Sequence, residues 1–284
     1  MEVHALSTFA FGQTGQAAAP PARRDQGRVI LQAANLTKVY RTGGEAYPAV
    51  RGVDLECREG EFTVIMGASG SGKSTLLYLL GGLDRPTSGE VRFRGRVLHE
   101  LSPRELAQLR THKIGYVYQA IHLIPDLSIL DNIAFPGYLA GKPRAEARGR
   151  ALKLMRRFGI EGIAGRLPSQ VSGGQQQRAA IARALINGPE LLLADEPTGA
   201  LSRQQGEVVL DLLTELNREG QSIVMVTHDL KAACRADRLI LVKDGTIAGT
   251  MDLPRYDAKD EAERERRIYR FTKEREEAPC TRLS

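Results

Sequence analysis

Three short stretches of this 284-residue chain carry residue types that act on phosphates. The first is Gly67-Ala68-Ser69-Gly70-Ser71-Gly72-Lys73-Ser74, which fits the pattern G-x-x-x-x-G-K-[ST]. Its glycines let the backbone wrap so that successive N–H groups point inward at phosphate oxygens. A helix opening near Lys73 adds its positive dipole end. Lys73 is the group to reach β- and γ-phosphates, and the Ser74 hydroxyl suits Mg²⁺. The second is Leu191-Leu192-Leu193-Ala194-Asp195-Glu196, an apolar run ending in two carboxylates. In a parallel sheet, ligands bind beyond the carboxyl ends of strands. That places Asp195 for Mg²⁺ and Glu196 one residue further, to polarise a water against the γ-phosphate. Alone, such an acidic strand end also fits a surface turn; beside the glycine loop it reads as part of the same site.

The third stretch is Val171-Ser172-Gly173-Gly174-Gln175, followed by Gln176, Gln177 and Arg178. It predicts a serine-capped turn opening a helix over Gln175–Leu185, again an anion site at a helix start. A simple capped helix explains the motif taken alone. A second phosphate cradle in a chain that already has one suggests that two chains complete each other's sites.

These residues need elements to hold them. Short apolar runs at Val29–Leu31, Val50–Leu55 and Phe62–Met66 predict strands. The glycine loop then leads into a helix beginning Ser74–Leu80, the strand–loop–helix unit of phosphate sites. Between about Pro103 and Gly165 the apolar spacing turns helical, most clearly at Arg104–Leu109, Ile129–Leu139 and Ala145–Phe158. Leu191–Ala194, Ile223–Val226 and Leu239–Val242 are near-continuous apolar runs, as in parallel strands covered on both faces. Residues 1–27, rich in Ala, Gly, Gln and Pro, predict a disordered tail. Residues 254–284 form a charged tail, partly helical, with mixed charge over Arg255–Glu277 that reads as a solvated surface helix.

Together the phosphate loop, the Ser-Gly-Gly-Gln turn and the Leu-Leu-Leu-Ala-Asp-Glu strand resemble, in that order, the ABC-type ATPases. The resemblance runs from about Val29 to Thr250 and looks strongest to the ATPase subunits of the macrolide-exporter, lipoprotein-release and cell-division group. Leu79 with Gly81-Gly82-Leu83-Asp84-Arg85-Pro86-Thr87-Ser88-Gly89, Gln175–Arg178 and Ala194–Gly199 carry that closer match. The resemblance implies an α/β P-loop NTPase over 28–253, with a mostly parallel sheet, an antiparallel β subdomain and an inserted helical subdomain at about 103–170. It implies ATP and Mg²⁺ as ligands. It adds Tyr40 as the aromatic that stacks on adenine, with Gly67 to Thr75 around the phosphates, Lys73 included. Gln119 joins Ser74 and Asp195 at Mg²⁺, and His228 contacts the γ-phosphate, acting with Glu196 and Lys73 in hydrolysis. Ser172, Gly173, Gly174 and Gln175 serve the ATP of the other chain. His4, His99, His112 and His122 match nothing in the family. One position departs: an Asp is usual in the turn after Glu196, and here Gly199-Ala200-Leu201 leads to Ser202. Losing that charge predicts weaker coupling between the two sites.

Composition narrows the alternatives. At 42% hydrophobic and 26% charged residues the chain is neither fibrous nor wholly disordered. Aromatics are 5% and Trp is absent, which argues against a stacking platform for nucleic acid. The net charge of +6 is mixed along the chain and reads as a solvated surface. Cys57, Cys234 and Cys280 are far apart, without metal spacing, and suit a reducing compartment. Neither a membrane span nor a basic-headed signal peptide is legible. The expectation is therefore a homodimeric ATPase, peripheral on the cytoplasmic face of the membrane and driving a separate integral-membrane permease in export or extraction. The alternative is the ATPase of a non-transporting, cell-division-type signalling complex. A soluble ABC ATPase of translation or DNA repair fits less well, since the chain has one cassette and neither long coiled coils nor zinc cysteines.

Overall fold

The protein is described by a computed structural model over residues 27–277. The predicted tail, apart from Gly27, and Cys280 lie outside those residues. In chain order the elements are β1 (Val29–Thr42), β2 (Glu45–Arg58), β3 (Phe62–Met66), α1 (Lys73–Leu80), β4 (Ser88–Phe93), β5 (Arg96–Val97), α2 (Pro103–His112), β6 (Ile114–Val117) and α3 (Ile129–Leu139). They continue through α4 (Arg144–Arg157), α5 (Gly173–Leu185), β7 (Leu191–Asp195), α6 (Arg203–Arg218), β8 (Ser222–Thr227), α7 (Leu230–Ala233), β9 (Arg238–Lys243), β10 (Thr246–Asp252) and α8 (Glu261–Glu277).

Two sheets result. The four-stranded one, ordered β2-β1-β4-β5, is antiparallel. The six-stranded one is ordered β10-β9-β3-β8-β7-β6. Its strands β9, β3, β8, β7 and β6 pair in parallel, and β10 closes the edge antiparallel. Alternation along the central strands divides the core in two. Val64, Leu192, Ala194, Ile223, Met225, Leu239 and Leu241 face the layer holding α3, α4, α5 and α6. Ile65, Leu191, Leu193, Val224, Val226, Ile240 and Val242 face α1 and the antiparallel sheet. Both faces are covered, which is why these strands read as continuous apolar runs rather than alternating ones.

The first two strands are far longer than their apolar runs. Residues Thr37 to Thr42 offer no apolar pattern, yet they pair onto β2 as far as Thr42↔Glu45. The pairing is carried by backbone, which side-chain pattern does not report. Within the stretch 103–170 the chain also returns to the main sheet: Ile114–Val117 is a strand that pairs with β7. It follows α2, and α2's Leu106 and Leu109 pack on the antiparallel-sheet side of the core rather than on α3 and α4. A four-residue strand between helices has too few residues to show a period.

The charged end of the chain departs from a solvated helix. In α8, Arg264, Ile268, Phe271 and Thr272 are buried against the domain. Their spacing is helical, but the stripe is narrow and includes an arginine, so the surrounding charges hide it.

Candidate functional site

The phosphate loop joins the end of β3 to the start of α1, and its shape depends on missing side chains. Gly70 and Gly72 stand at φ of +78° and +98°. A Cβ on Gly72 would lie 2.1 Å from the Ala49 carbonyl oxygen, and one on Gly67 would lie 2.2 Å from that of Val242. Strands β2 and β9 therefore press the loop from either side with backbone atoms that cannot yield. Within it, the Lys73 ammonium donates to the Ala68 carbonyl at 2.8 Å and is 5% exposed. Burial lowers its pKa, while Glu196 and Asp195 act to raise it. The Ser71 hydroxyl is buried with no hydrogen-bond partner. An orphaned donor and a lysine folded onto its own loop are what an incoming polyanion would engage. Thr75 continues α1, half-buried.

Asp195 ends β7 and is buried. Its Oδ1 accepts from the Ser74 hydroxyl at 3.0 Å. Burial raises its pKa against the lowering effect of that hydrogen bond. Ser74, Asp195 and Gln119 supply hard oxygen donors of the kind Mg²⁺ prefers. Among the described residues no group of three His, Cys, Asp or Glu could hold a metal. One hydroxyl joined to one carboxylate fits an ion that takes the rest of its shell from water and phosphate oxygens.

Glu196 leaves the strand at φ +41°, in the left-handed region, where its N–H donates to the Val226 carbonyl at 3.0 Å. A non-glycine residue there carries about 1–2 kcal/mol of strain, tolerated where surroundings over-determine it. Its carboxylate is gripped from two loops. His228 Nδ1 lies 3.0 Å from Oε1, and Gln119 Nε2 donates to Oε2 at 3.5 Å. Four sheet-end positions that are distant in sequence (the phosphate loop, Gln119, Asp195-Glu196 and His228) thus converge.

Tyr40 stands at the edge of this cluster, within side-chain hydrogen-bond reach of Thr75. Its hydroxyl donates to Asp84 at 2.9 Å, and the Lys38 ammonium sits 4.9 Å from its ring centroid. The residue is 37% exposed. Asp84, within Leu83-Asp84-Arg85-Pro86, has no spacing in the sequence that marks it as a partner of Tyr40. Tyr47 was missed as well: it pairs opposite Tyr40, and its hydroxyl donates to the Gly70 carbonyl at 3.2 Å. Neither partner is legible without the hairpin register.

Ser172, Gly173, Gly174 and Gln175 are not brought to that site; among the described residues no hydrogen bond joins them to the phosphate loop. Ser172 caps α5 reciprocally, accepting from the Gln175 N–H at 3.4 Å while the Gln175 amide oxygen accepts from the Ser172 N–H at 2.9 Å. The predicted helix start moves only two residues, to Gly173. Ser172 and Gly173 are exposed, and Gly174 is backed by Gln205 at the start of α6. Ser202 caps that same helix, accepting from the Gln205 N–H at 3.4 Å.

The family described as ABC transporter matches residues 50–199. The macrolide export ATP-binding/permease protein MacB of Sodalis glossinidius (strain morsitans) is 46% identical over 218 residues, 77% of this chain and 33% of that protein. The pyoverdine export ATP-binding/permease protein PvdT of Pseudomonas entomophila (strain L48) is 49% identical over 221 residues, 77% of this chain and 34% of that protein. The chain therefore spans about a third of the length of these relatives. A solved structure described as a dimeric post-hydrolysis state of the ATP-binding cassette MJ0796, bound to ADP and Pi, superposes with a TM-score of 0.75 at 42% identity. It covers 80% of this chain and 100% of that one.

Proposed function

Because the chain belongs to the ABC transporter family and carries its ATP-hydrolysing cassette, we propose that it is the motor of a membrane exporter. Two copies close on two ATP molecules, and each site combines Lys73, Asp195 and Glu196 of one chain with Ser172 and Gly174 of the other. The observation that carries this reading is the pairing of a nearly complete phosphate site with an outward-facing cradle that has no phosphate loop of its own. The dimeric form of the solved relative supports it.

Lys73 leaves the Ala68 carbonyl for the β- and γ-phosphates, and the loop N–H groups with Ser71 hold the remaining oxygens. Tyr40 carries the adenine ring on its exposed face. Ser74, Asp195 and Gln119 would hold Mg²⁺, which would supply neutralising positive charge to the bound phosphates. Glu196 orients and polarises the attacking water, and His228 keeps its carboxylate aimed while meeting the γ-phosphate. Two states that differ in affinity for ATP suffice to turn nucleotide turnover into movement.

The driven partner is an integral-membrane permease. No helix among the described residues is long and apolar enough to cross a membrane, and the relatives above are named as ATP-binding and permease proteins in one chain. The place of work is the cytoplasmic face of the membrane, and the class of work is export or extraction of a substrate from it.

The deciding experiment is size-exclusion chromatography of Glu196→Gln with and without ATP. The variant is expected to run as a dimer with ATP and to lose turnover by about 10²-fold or more. A variant that stays monomeric at saturating ATP overturns the shared-site reading. Tagged protein recovered from detergent-solubilised membranes is expected to bring a polytopic membrane protein with it.

A further inference from the structure

Among the described residues, the largest fully buried side chain is charged. Arg264 of α8 is 2% exposed, and its guanidinium is spread over three backbone carbonyls. Nε donates to Cys234 at 2.8 Å, Nη1 to Pro254 at 2.6 Å, and Nη2 to Ala236. Cys234 is the C-terminal cap of α7, so one of the three is a carbonyl that a helix end leaves without a partner. At the other end of α7, Asp229 caps the first turn by accepting from the Lys231 N–H at 2.9 Å. The residue before Asp229 is His228, whose Nδ1 meets Glu196.

A second tie leaves the same knot. Arg235, 5% exposed, pairs with Asp211 at 2.7 Å and Glu207 at 3.5 Å, both on α6. Helix α6 begins at the Ser202 turn that follows Glu196. Tyr256 lies under both arginines, 4.2 Å from Arg235 and 5.6 Å from Arg264, and its hydroxyl donates to Glu261 at 3.0 Å. The His228 loop, through α7, and helix α6, through Arg235, are thus tied to the segment Cys234–Ala236, whose carbonyls Arg264 of the C-terminal helix holds.

If α8 served only to cover apolar surface, Ile268 and Phe271 would do so without the desolvation that a buried guanidinium costs. What the guanidinium adds is direction, since its planar fork fixes several acceptors at once. We infer that Arg264 is a positioning residue for hydrolysis, setting the loop of His228, and through it the Glu196 carboxylate, from the far side of α7. The inference rests on the roles of Glu196 and His228 proposed above. The C-terminal helix is then a working part of the ATPase site rather than a surface appendage.

The test uses the full chain with Arg264→Met and Arg264→Lys. His228→Ala serves as the reference and Arg270→Met, on the exposed face of α8, as the control. Three quantities are read: kcat for ATP, the Kd of a fluorescent ATP analogue, and the proton NMR signal of the His228 ring, assigned by its loss in His228→Ala. Arg264→Met is expected to lower kcat about tenfold, the scale of a small misplacement of a reacting group. Its Kd should stay within about twofold, because the phosphate loop is untouched. The His228 signal should move, Arg264→Lys should recover part of kcat, and Arg270→Met should match the parent protein. Unchanged kcat in folded Arg264→Met overturns the inference. So does a parallel loss of kcat and Kd with the His228 signal in place, which marks a merely structural role. If Arg264→Met does not fold, Arg264→Lys decides alone: lowered kcat, intact Kd and a moved signal support the inference, and parent values for all three overturn it. Should His228→Ala retain parental turnover, the catalytic reading fails first and the inference falls with it.

Discussion

The loop at Gly67–Ser74 and the turn at Ser172–Gln175 are built from the same device, glycines leading into a helix start, and they end in opposite situations. The first is clamped between the carbonyls of Ala49 and Val242, with Lys73 and Ser71 buried inside it. The second has Ser172 and Gly173 exposed and spends its side-chain hydrogen bonds on its own cap. The difference shows what makes an anion site complete. N–H groups at a helix start are common; a cation, a carboxylate pair and a fixed wall beside them are not. The turn has neither a lysine nor a carboxylate pair hydrogen-bonded to it among the described residues, and that is the physical ground for proposing that it serves the site of another chain.

Substitutions in the two regions should therefore fail differently. The largest effect is expected from Lys73→Met, which removes the buried cation. Nucleotide affinity of a single chain should fall about 10²-fold, and hydrolysis with it; titration of a fluorescent ATP analogue at low protein concentration checks this. Gly174→Ala places a Cβ 3.1–3.3 Å from Cδ, Cγ and Cβ of Gln205, a crowding that a shift of a few tenths of an ångström relieves, so the domain should still fold. Single-chain affinity should stay within about twofold while turnover drops about tenfold. If Gly174→Ala weakens binding to the isolated chain as strongly as Lys73→Met, the division between the two regions is wrong. Tyr40→Ala removes a stacking face worth about 1–3 kcal/mol and should weaken ATP and ADP alike, measurable by calorimetry.

The smallest effect sharpens the comparison. Ser202 caps α6 at the point where Gln205 backs the turn. Ser202→Asp keeps the cap, since both residues are good at that position, and restores the charge that the family usually carries there. The expected outcome is a higher Hill coefficient for ATP with single-chain affinity unchanged. An unchanged Hill coefficient and turnover would show that the charge at this turn does not set coupling.

The sequence by itself was enough for what local chemistry controls. The glycine spacing before Lys73 defined the phosphate loop, because no other residue type permits that path of the backbone. The apolar runs Leu191–Ala194 and Ile223–Val226 reported strands covered on both faces, and Ile129–Leu139 matched α3 residue for residue. The placing of Tyr40, Gln119 and His228 came from family resemblance, since a lone side chain carries no spacing of its own. Tertiary structure decided the rest. That His228 and Gln119 grip one carboxylate depends on the order of β6, β7 and β8 in the sheet, which side-chain pattern does not encode. That Ala49 and Val242 wall the loop depends on backbone carbonyls, which have no residue identity to read. That α8 is docked rather than solvated depends on Arg264, whose charge pointed to water until three carbonyls from elsewhere in the chain received it. Periodicity and motif report what a residue offers its near neighbours; burial of a polar group is set by partners that only the folded chain brings within reach.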